Sequence, residues 1–194
     1  MNKDFGEMGR VAQAVKDGEI AVIPTDTIYG VVASAFNPVA VEKLYLLRHR
    51  KPEKPFIVLI ADVQELARFG VEISSELMHS LARVWPGPVS VIFSCPGETL
   101  SYLHRGSGSL AFRVPKPEWL RRFLEISGPL VAPSANFEGE PPSHTLKEAR
   151  NYFSSSVEHY FDGGVMDGNP STLVRYERGS FSILRHGAGD SLLG

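Results

Sequence analysis

The chain has 194 residues, 43% of them hydrophobic and 22% charged, with 20 Lys and Arg set against 22 Asp and Glu for a net charge of −2. That length predicts one well-cored domain over residues 1–194, burying about 70% of its unfolded surface, and the composition excludes long disorder. A single cysteine, Cys95, excludes an intrachain disulfide and favours a reducing compartment. Nothing reaches the ~18 apolar residues of a membrane span and Met1 to Glu7 carry no apolar secretory core, so the expected location is cytoplasmic, with no membrane partner.

Apolar residues at helical spacing predict a first helix from about Met8 to Val15, with Gly18 placed to stop it. Ile20-Ala21-Val22-Ile23 reads as a buried strand ended by Pro24, and Tyr29 to Ala33 as a second. Asn37-Pro38 supplies an N-cap and a first-turn proline for a helix that Pro52 prevents from continuing. Phe56 to Ile60 is a continuous apolar strand of the kind covered on both faces. Asp62 with Glu65 resembles a capping pair for the next helix, and another spans about Ser75 to Trp85 before Pro86-Gly87-Pro88.

Val89 to Phe93 and Leu110 to Val114 are predicted strands separated by a loop of Gly, Ser and Pro. Gly106-Ser107-Gly108-Ser109 precedes no helix signal and reads as a flexible connector. Pro117 opens a helix to about Ile126, Leu130-Val131-Ala132 follows as a strand, and Thr145 with Glu148 forms a capping box for a helix through Tyr152. Short strands near His159, Leu173 and Ile183 close the chain. Helices alternating with strands give an α/β fold, and tail strands without intervening helices make its sheet mixed. Loops at strand ends, where Pro and Gly concentrate, are the expected ligand edge.

Four cations, Arg48, Arg50, Lys51 and Lys54, crowd one short segment with only Glu53 between them. Such a cluster either ends a helix in solvent, complementing its dipole, or forms an anion site built from guanidinium forks. Two other segments would meet it at the ligand edge: Pro24-Thr25-Asp26-Thr27-Ile28-Tyr29-Gly30 and Pro133-Ser134-Ala135-Asn136. Each alone serves equally as a turn or a helix cap. The six histidines are scattered without metal-ligand spacing, and no familiar phosphate-loop or dinucleotide fingerprint is present. No dedicated metal site is therefore expected.

Taken together these segments resemble the YrdC-like threonylcarbamoyl-AMP synthases. That family's pattern is matched in order by Pro24 to Gly30, Arg48-His49-Arg50, Trp85-Pro86-Gly87-Pro88, Arg113-Val114-Pro115, Ser134-Ala135-Asn136, Ser171-Thr172 and Arg185, covering the chain from about Gly18 to Gly187. Two departures stand out. Arg48 occupies the lysine position of the family's Lys-x-Arg, and Phe137-Glu138-Gly139 replaces an x-Ser-Gly that often follows Ser-Ala-Asn. Arg48→Lys is expected to be tolerated or to improve turnover.

The resemblance implies a YrdC-like fold, a twisted mixed sheet flanked by helices with a concave ligand surface. It implies synthesis of L-threonylcarbamoyl-AMP from L-threonine, bicarbonate and ATP, with Mg²⁺ carried on ATP and a tRNA threonylcarbamoyl-transferase complex downstream. Arg48 and Arg50 would be catalytic and, with Lys54, Ser134, Asn136 and Arg185, would hold ATP. Thr25, Arg113 and Ser171 would form the threonine pocket. Tyr29 either packs beside the ligands or is a strand aromatic, and Asp26 either assists a metal or orders its loop. Trp85-Pro86-Gly87-Pro88 reads as structural. Two other readings stay open. One is a module binding double-stranded RNA or tRNA, against which the net acidity and the lack of a basic stripe both speak. The other is a relative forming a different carbamoyl or acyl adenylate.

Overall fold

The computed structural model describes residues 5–177 and 179–193. Met1 to Asp4, on which the reading of the N-terminus partly rests, and the outer limits of 1–194 lie outside them. The helices are α1 (Phe5–Lys16), α2 (Pro38–Leu47), α3 (Ser75–Leu81), α4 (Ser101–His104), α5 (Glu118–Ser127) and α6 (Leu146–Phe153). The strands are β1 (Ala21–Pro24), β2 (Tyr29–Ser34), β3 (Ile57–Leu59), β4 (Val89–Ser94), β5 (Ser109–Arg113), β6 (Leu130–Val131), β7 (His159–Tyr160), β8 (Thr172–Glu177) and β9 (Ser180–Arg185). They form one mixed nine-stranded sheet in the order β7-β1-β2-β6-β3-β5-β4-β8-β9. The β3–β5 and β4–β8 pairs are parallel, whereas β4–β5 and β8–β9 are antiparallel.

Strand alternation divides the core. Ala21, Ile23, Val32 and Leu59 face one side, where Met8, Val11, Ala12 and Val15 of α1 pack with Leu120, Phe123 and Leu124 of α5. Val22, Val31, Val58, Val91 and Phe112 face the other, against α2, α3 and a 3-10 segment at Val63–Phe69. These two helices cover the β1–β2–β6 end of that face and Leu59 at the end of β3. Farther along, Ile57, Ala111 and Ile92 stand in one row across β3, β5 and β4. These three, with Leu173 of β8, are only partly covered. That uncapped patch of sheet is the floor of the site.

Several boundaries depart from the sequence expectation for identifiable reasons. The helix opened by Asn37, whose side chain accepts from the Ala40 N–H at 3.1 Å, reaches the cation cluster and ends at Leu47, and what ends it is a turn ahead of Pro52. His49 takes a left-handed φ of 52°, its N–H donates to Leu46 O, and the Arg50 N–H donates to Tyr45 O. That is a Schellman closure built on histidine where glycine is usual, so no glycine marked it. The helix at Ser75 ends at Leu81, because Arg83 and Val84 bond to carbonyls three residues back and Trp85 precedes proline. After Asp62 the segment winds as 3-10. The supposed plain loop before β5 holds a 3-10 turn at Glu98–Leu100 and the short α4.

Candidate functional site

A hollow of about 480 Å³ lies over the uncapped sheet floor. The expected edge of loops at strand ends is therefore only its rim, and its base is the open sheet face. Ile57, Ile92, Ala111 and Leu173 make it apolar below, while Arg48, Arg50, Arg113 and Arg185 bring four guanidinium groups to its walls. Glu140 is the one carboxylate among the lining residues.

The Schellman turn places Arg48 inward and Arg50 two residues on. Arg48 is 3% exposed. Its Nε donates to Asn136 O at 2.9 Å, and its Nη2 donates to Ser134 Oγ and Asn136 Oδ1, each at 3.3 Å. Nη1 is buried without a hydrogen-bond partner. Burial, then the like charge of Arg50, pulls the Arg48 pKa down to about 10, which still leaves it charged at neutral pH. Arg50 Nε and Nη2 donate to the Lys54 and Pro55 carbonyls. Both guanidiniums lie over the Phe56 ring, at 6.0 and 5.2 Å from its centroid. Two like charges are thus held close by one aromatic face and one loop.

Arg113, at the end of β5, lies 3.0 Å from Asp26 Oδ1, both side chains being nearly fully buried. The contact lacks hydrogen-bond alignment: both Asp26 oxygens and Arg113 Nε have no hydrogen-bond partner. Asp26 is therefore a buried counter-charge behind Arg113. Arg185 reaches from the edge strand β9 to donate to Ser171 O at 2.8 Å. Although the residue as a whole stays open to solvent, partial burial and then the charges of Arg113 and Arg50 lower its pKa. That Arg50 and Arg113 both act on Arg185 shows the three to be electrostatic neighbours. Ser171 Oγ shares a hydrogen bond of 2.9 Å with Ser90 Oγ.

Eight of the nine residues expected from sequence line the same hollow; Lys54 does not. Its ammonium bonds instead to Glu138 at 2.8 Å, and its side chain is half exposed. The chemistry open to the others is also narrower than their types suggested. The Asn136 amide gives both bonds to Phe137 O and Glu140 O while accepting from Arg48, so it orders the loop. Thr25 Oγ1 donates to Ile28 O and receives the Thr27 and Ile28 N–H groups, closing the β1–β2 turn. Tyr29 is fully buried, and its hydroxyl donates to Gly164 O and accepts from the Gly163 N–H, anchoring that loop beside the rim. Trp85 donates its indole N–H to Val89 O in the core, a structural use.

Sequence reasoning missed Ser107 and Ser109, which line the hollow on the segment read as a flexible connector. That segment is wound around His104, whose Nδ1 accepts from the Gly106 and Gly108 N–H groups. The signal available was a histidine two residues before a Gly-Ser run. Among the described residues no group of three or more His, Cys, Asp or Glu could hold a metal ion.

A family model named for Sua5, YciO and YrdC and described as "Telomere recombination" matches residues 13–187. The chain belongs to this family. A threonylcarbamoyl-AMP synthase of Idiomarina loihiensis is 34% identical over 167 residues, which are 83% of this chain and 88% of that protein. One from Bacillus subtilis is 32% identical over 172 residues, 86% of this chain and 47% of that protein. The crystal structure of Pyrococcus abyssi Sua5 complexed with L-threonine aligns with a TM-score of 0.86 and 28% identity, over 95% of this chain and 56% of that one. The chain spans about half the length of the Bacillus and Pyrococcus relatives. The α/β fold expected from the resemblance is thus shared with Sua5.

Proposed function

We propose that this chain synthesises L-threonylcarbamoyl-AMP from L-threonine, bicarbonate and ATP, acting as a nucleotidyltransferase at the first step of tRNA threonylcarbamoyladenosine modification. The observation that carries this reading is the convergence of Arg48, Arg50, Arg113 and Arg185, from four separate stretches, on one hollow with an apolar floor. A nucleotide polyphosphate and an amino-acid carboxylate together match that charge, and a flat base fits the apolar floor. The relatives' printed activity and the threonine-bound Pyrococcus structure support it.

In this mechanism threonine's amine adds to carbon dioxide with loss of a proton, or condenses with bicarbonate with loss of water, to give a carbamate; a carbamate oxygen then attacks the α-phosphorus of ATP as pyrophosphate leaves. The chain need supply no nucleophile. Arg48 and Arg50 stabilise charge building on the pyrophosphate, an effect of preorganised donors in a partly dry site. Ser134 adds a hydroxyl, Asn136 holds the loop, and Arg185 closes from the opposite wall. Arg113 takes the threonine carboxylate, with Thr25 and Ser171 shaping that end. A Mg²⁺ ion would come with the triphosphate, since one lining carboxylate is too few for a resident site. A hollow of about 480 Å³ supports a mononucleotide ligand over a nucleic-acid strand, and the product passes to a tRNA-modifying complex in the cytoplasm. One sheet carries every lining strand, which supports a single domain over 1–194.

Pyrophosphate release from ATP, measured with bicarbonate and single amino acids, tests the reading. The expected result is release that requires both threonine and bicarbonate. Release independent of either points to a different adenylate. RNA affinity with a steep salt dependence and no turnover overturns the enzymatic reading.

A further inference from the structure

One carboxylate joins the two loops that carry the polyphosphate side of the hollow, and the mechanism above makes no use of it. Glu138 Oε2 accepts from the Lys51 N–H at 2.7 Å, and Oε1 accepts from Lys54 Nζ at 2.8 Å. Arg50 Nη1 lies 4.0 Å from the same Oε1. The Glu138 N–H donates to Arg48 O at 2.9 Å, so the residue is fixed by its backbone as well. Hydrogen bonds from Lys54 and the Lys51 N–H hold its pKa down to about 2, so it carries a full negative charge at neutral pH. Arg50 lines the hollow; Glu138 stands outside it, within ionic reach of that guanidinium.

We propose that Glu138 is a resident counter-anion that competes with the polyphosphate for Arg50, weakening ATP and pyrophosphate binding alike. The proposal rests on the reading of the hollow as a nucleotide polyphosphate site. Arg48, Arg50 and Arg185 without an opposing charge would grip a highly charged product as firmly as the transition state, and uniform grip does not accelerate turnover. A fixed carboxylate beside Arg50 lowers that grip at the rim without removing any donor. Lys54 then has an indirect part: its ammonium draws Glu138 toward the outer loop and away from Arg50.

Calorimetric titration of ATP and of inorganic pyrophosphate into the full chain tests this with Glu138→Gln, Lys54→Met and the double variant. Glu138→Gln is expected to tighten both ligands on the order of tenfold at low salt, a gain that shrinks as salt screens it. Threonine affinity should stay within about twofold, since Glu138 lies at the polyphosphate side. Lys54→Met is expected to weaken both polyphosphate ligands about threefold in the wild-type background and to have no effect once Glu138 is neutral. A clamp that merely orders the loops gives the opposite sign, weaker binding in Glu138→Gln, and overturns the proposal. Equal weakening by Lys54→Met in both backgrounds places Lys54 on the ligand and overturns it too. Should Glu138→Gln fail to fold, Glu138→Ser, which restores the residue of the family pattern, takes its place alone and in the double variant, with the same expected signs. If neither wild type nor any variant binds ATP or pyrophosphate, the polyphosphate reading of the hollow itself falls.

Discussion

Arg48→Lys separates charge from geometry at the centre of the site. On charge alone the exchange is neutral, and lysine is what the family pattern carries. In the structure, however, the Arg48 guanidinium spans three acceptors, Asn136 O, Asn136 Oδ1 and Ser134 Oγ, from a position 3% exposed. An ammonium is one point charge and meets at most part of that set, while being more strongly hydrated and so costlier to bury. Each hydrogen bond from a charged donor contributes about 1.5–3 kcal/mol, and a buried acceptor left bare costs about 1–3 kcal/mol. Losing one such bond and baring one acceptor therefore predicts a loss of roughly 2.5–6 kcal/mol of stability. Urea unfolding should show it as a lower midpoint at unchanged slope, with a raised ATP KM in the pyrophosphate assay from the loosened Ser134–Asn136 loop. An unchanged midpoint with unchanged KM would refute the reasoning, because the loop would then be held by something other than the fork.

Arg50→Ala removes one preorganised donor from the hollow and is expected to cost about 3 kcal/mol of transition-state stabilisation, read as kcat/KM for pyrophosphate release; activity within about twofold of wild type would take Arg50 out of the mechanism. Asp26→Asn leaves Arg113 buried without its counter-charge, and removing one partner of such a pair predicts a loss of about 3 kcal/mol in denaturant unfolding, with threonine KM rising as the guanidinium shifts. A stable variant with normal threonine affinity would contradict the pairing. Gly187→Ala drives a Cβ into Pro170 O and to 2.7 Å from the backbone of Ser171 and Thr172, which no rotamer relieves. It should destabilise by about 1–3 kcal/mol and, through Ser171, loosen Arg185; differential scanning calorimetry checks the first effect and titration with pyrophosphate the second.

The strands and longer helices were legible because their apolar spacing and caps are local, as with Asn37 beneath α2 and the Thr145–Glu148 box that begins α6. What escaped was set by tertiary contact. The left-handed turn at His49 carries no glycine signal; its ring stacks on Phe137 with centroids 4.6 Å apart, a contact far away in sequence. Short elements without side-chain caps, such as α4, left no pattern above the loop composition around them. The residue types of the site were legible from motif order, but their partners were not. Lys54 turns to Glu138, 84 residues away, and Asp26 meets Arg113 only because the β1–β2 turn and the end of β5 come together in the folded sheet. The position of the hollow depends on which part of a sheet face α1 and α5 leave bare, a property of packing with no counterpart in spacing.

Four guanidiniums around one hollow repel one another, and an anion bound among them offsets that repulsion, which gives a test independent of turnover. Arg48 already shows the strain as a pKa pulled to about 10 by burial and by Arg50. An anion that bridges the guanidiniums stabilises only the folded chain, adding about 2.7 kcal/mol at a hundred times its Kd. For a chain of this size each kcal/mol raises the midpoint by about 2–4 °C, so saturating pyrophosphate should raise Tm by roughly 5–10 °C. Chloride at matched ionic strength screens the charges without bridging them and should shift Tm far less. Arg50→Ala and Arg185→Ala should each shrink the pyrophosphate shift while leaving the chloride response unchanged. Equal shifts from both salts would mean that the four groups act as separate surface charges, and the shared anion site would be lost with them.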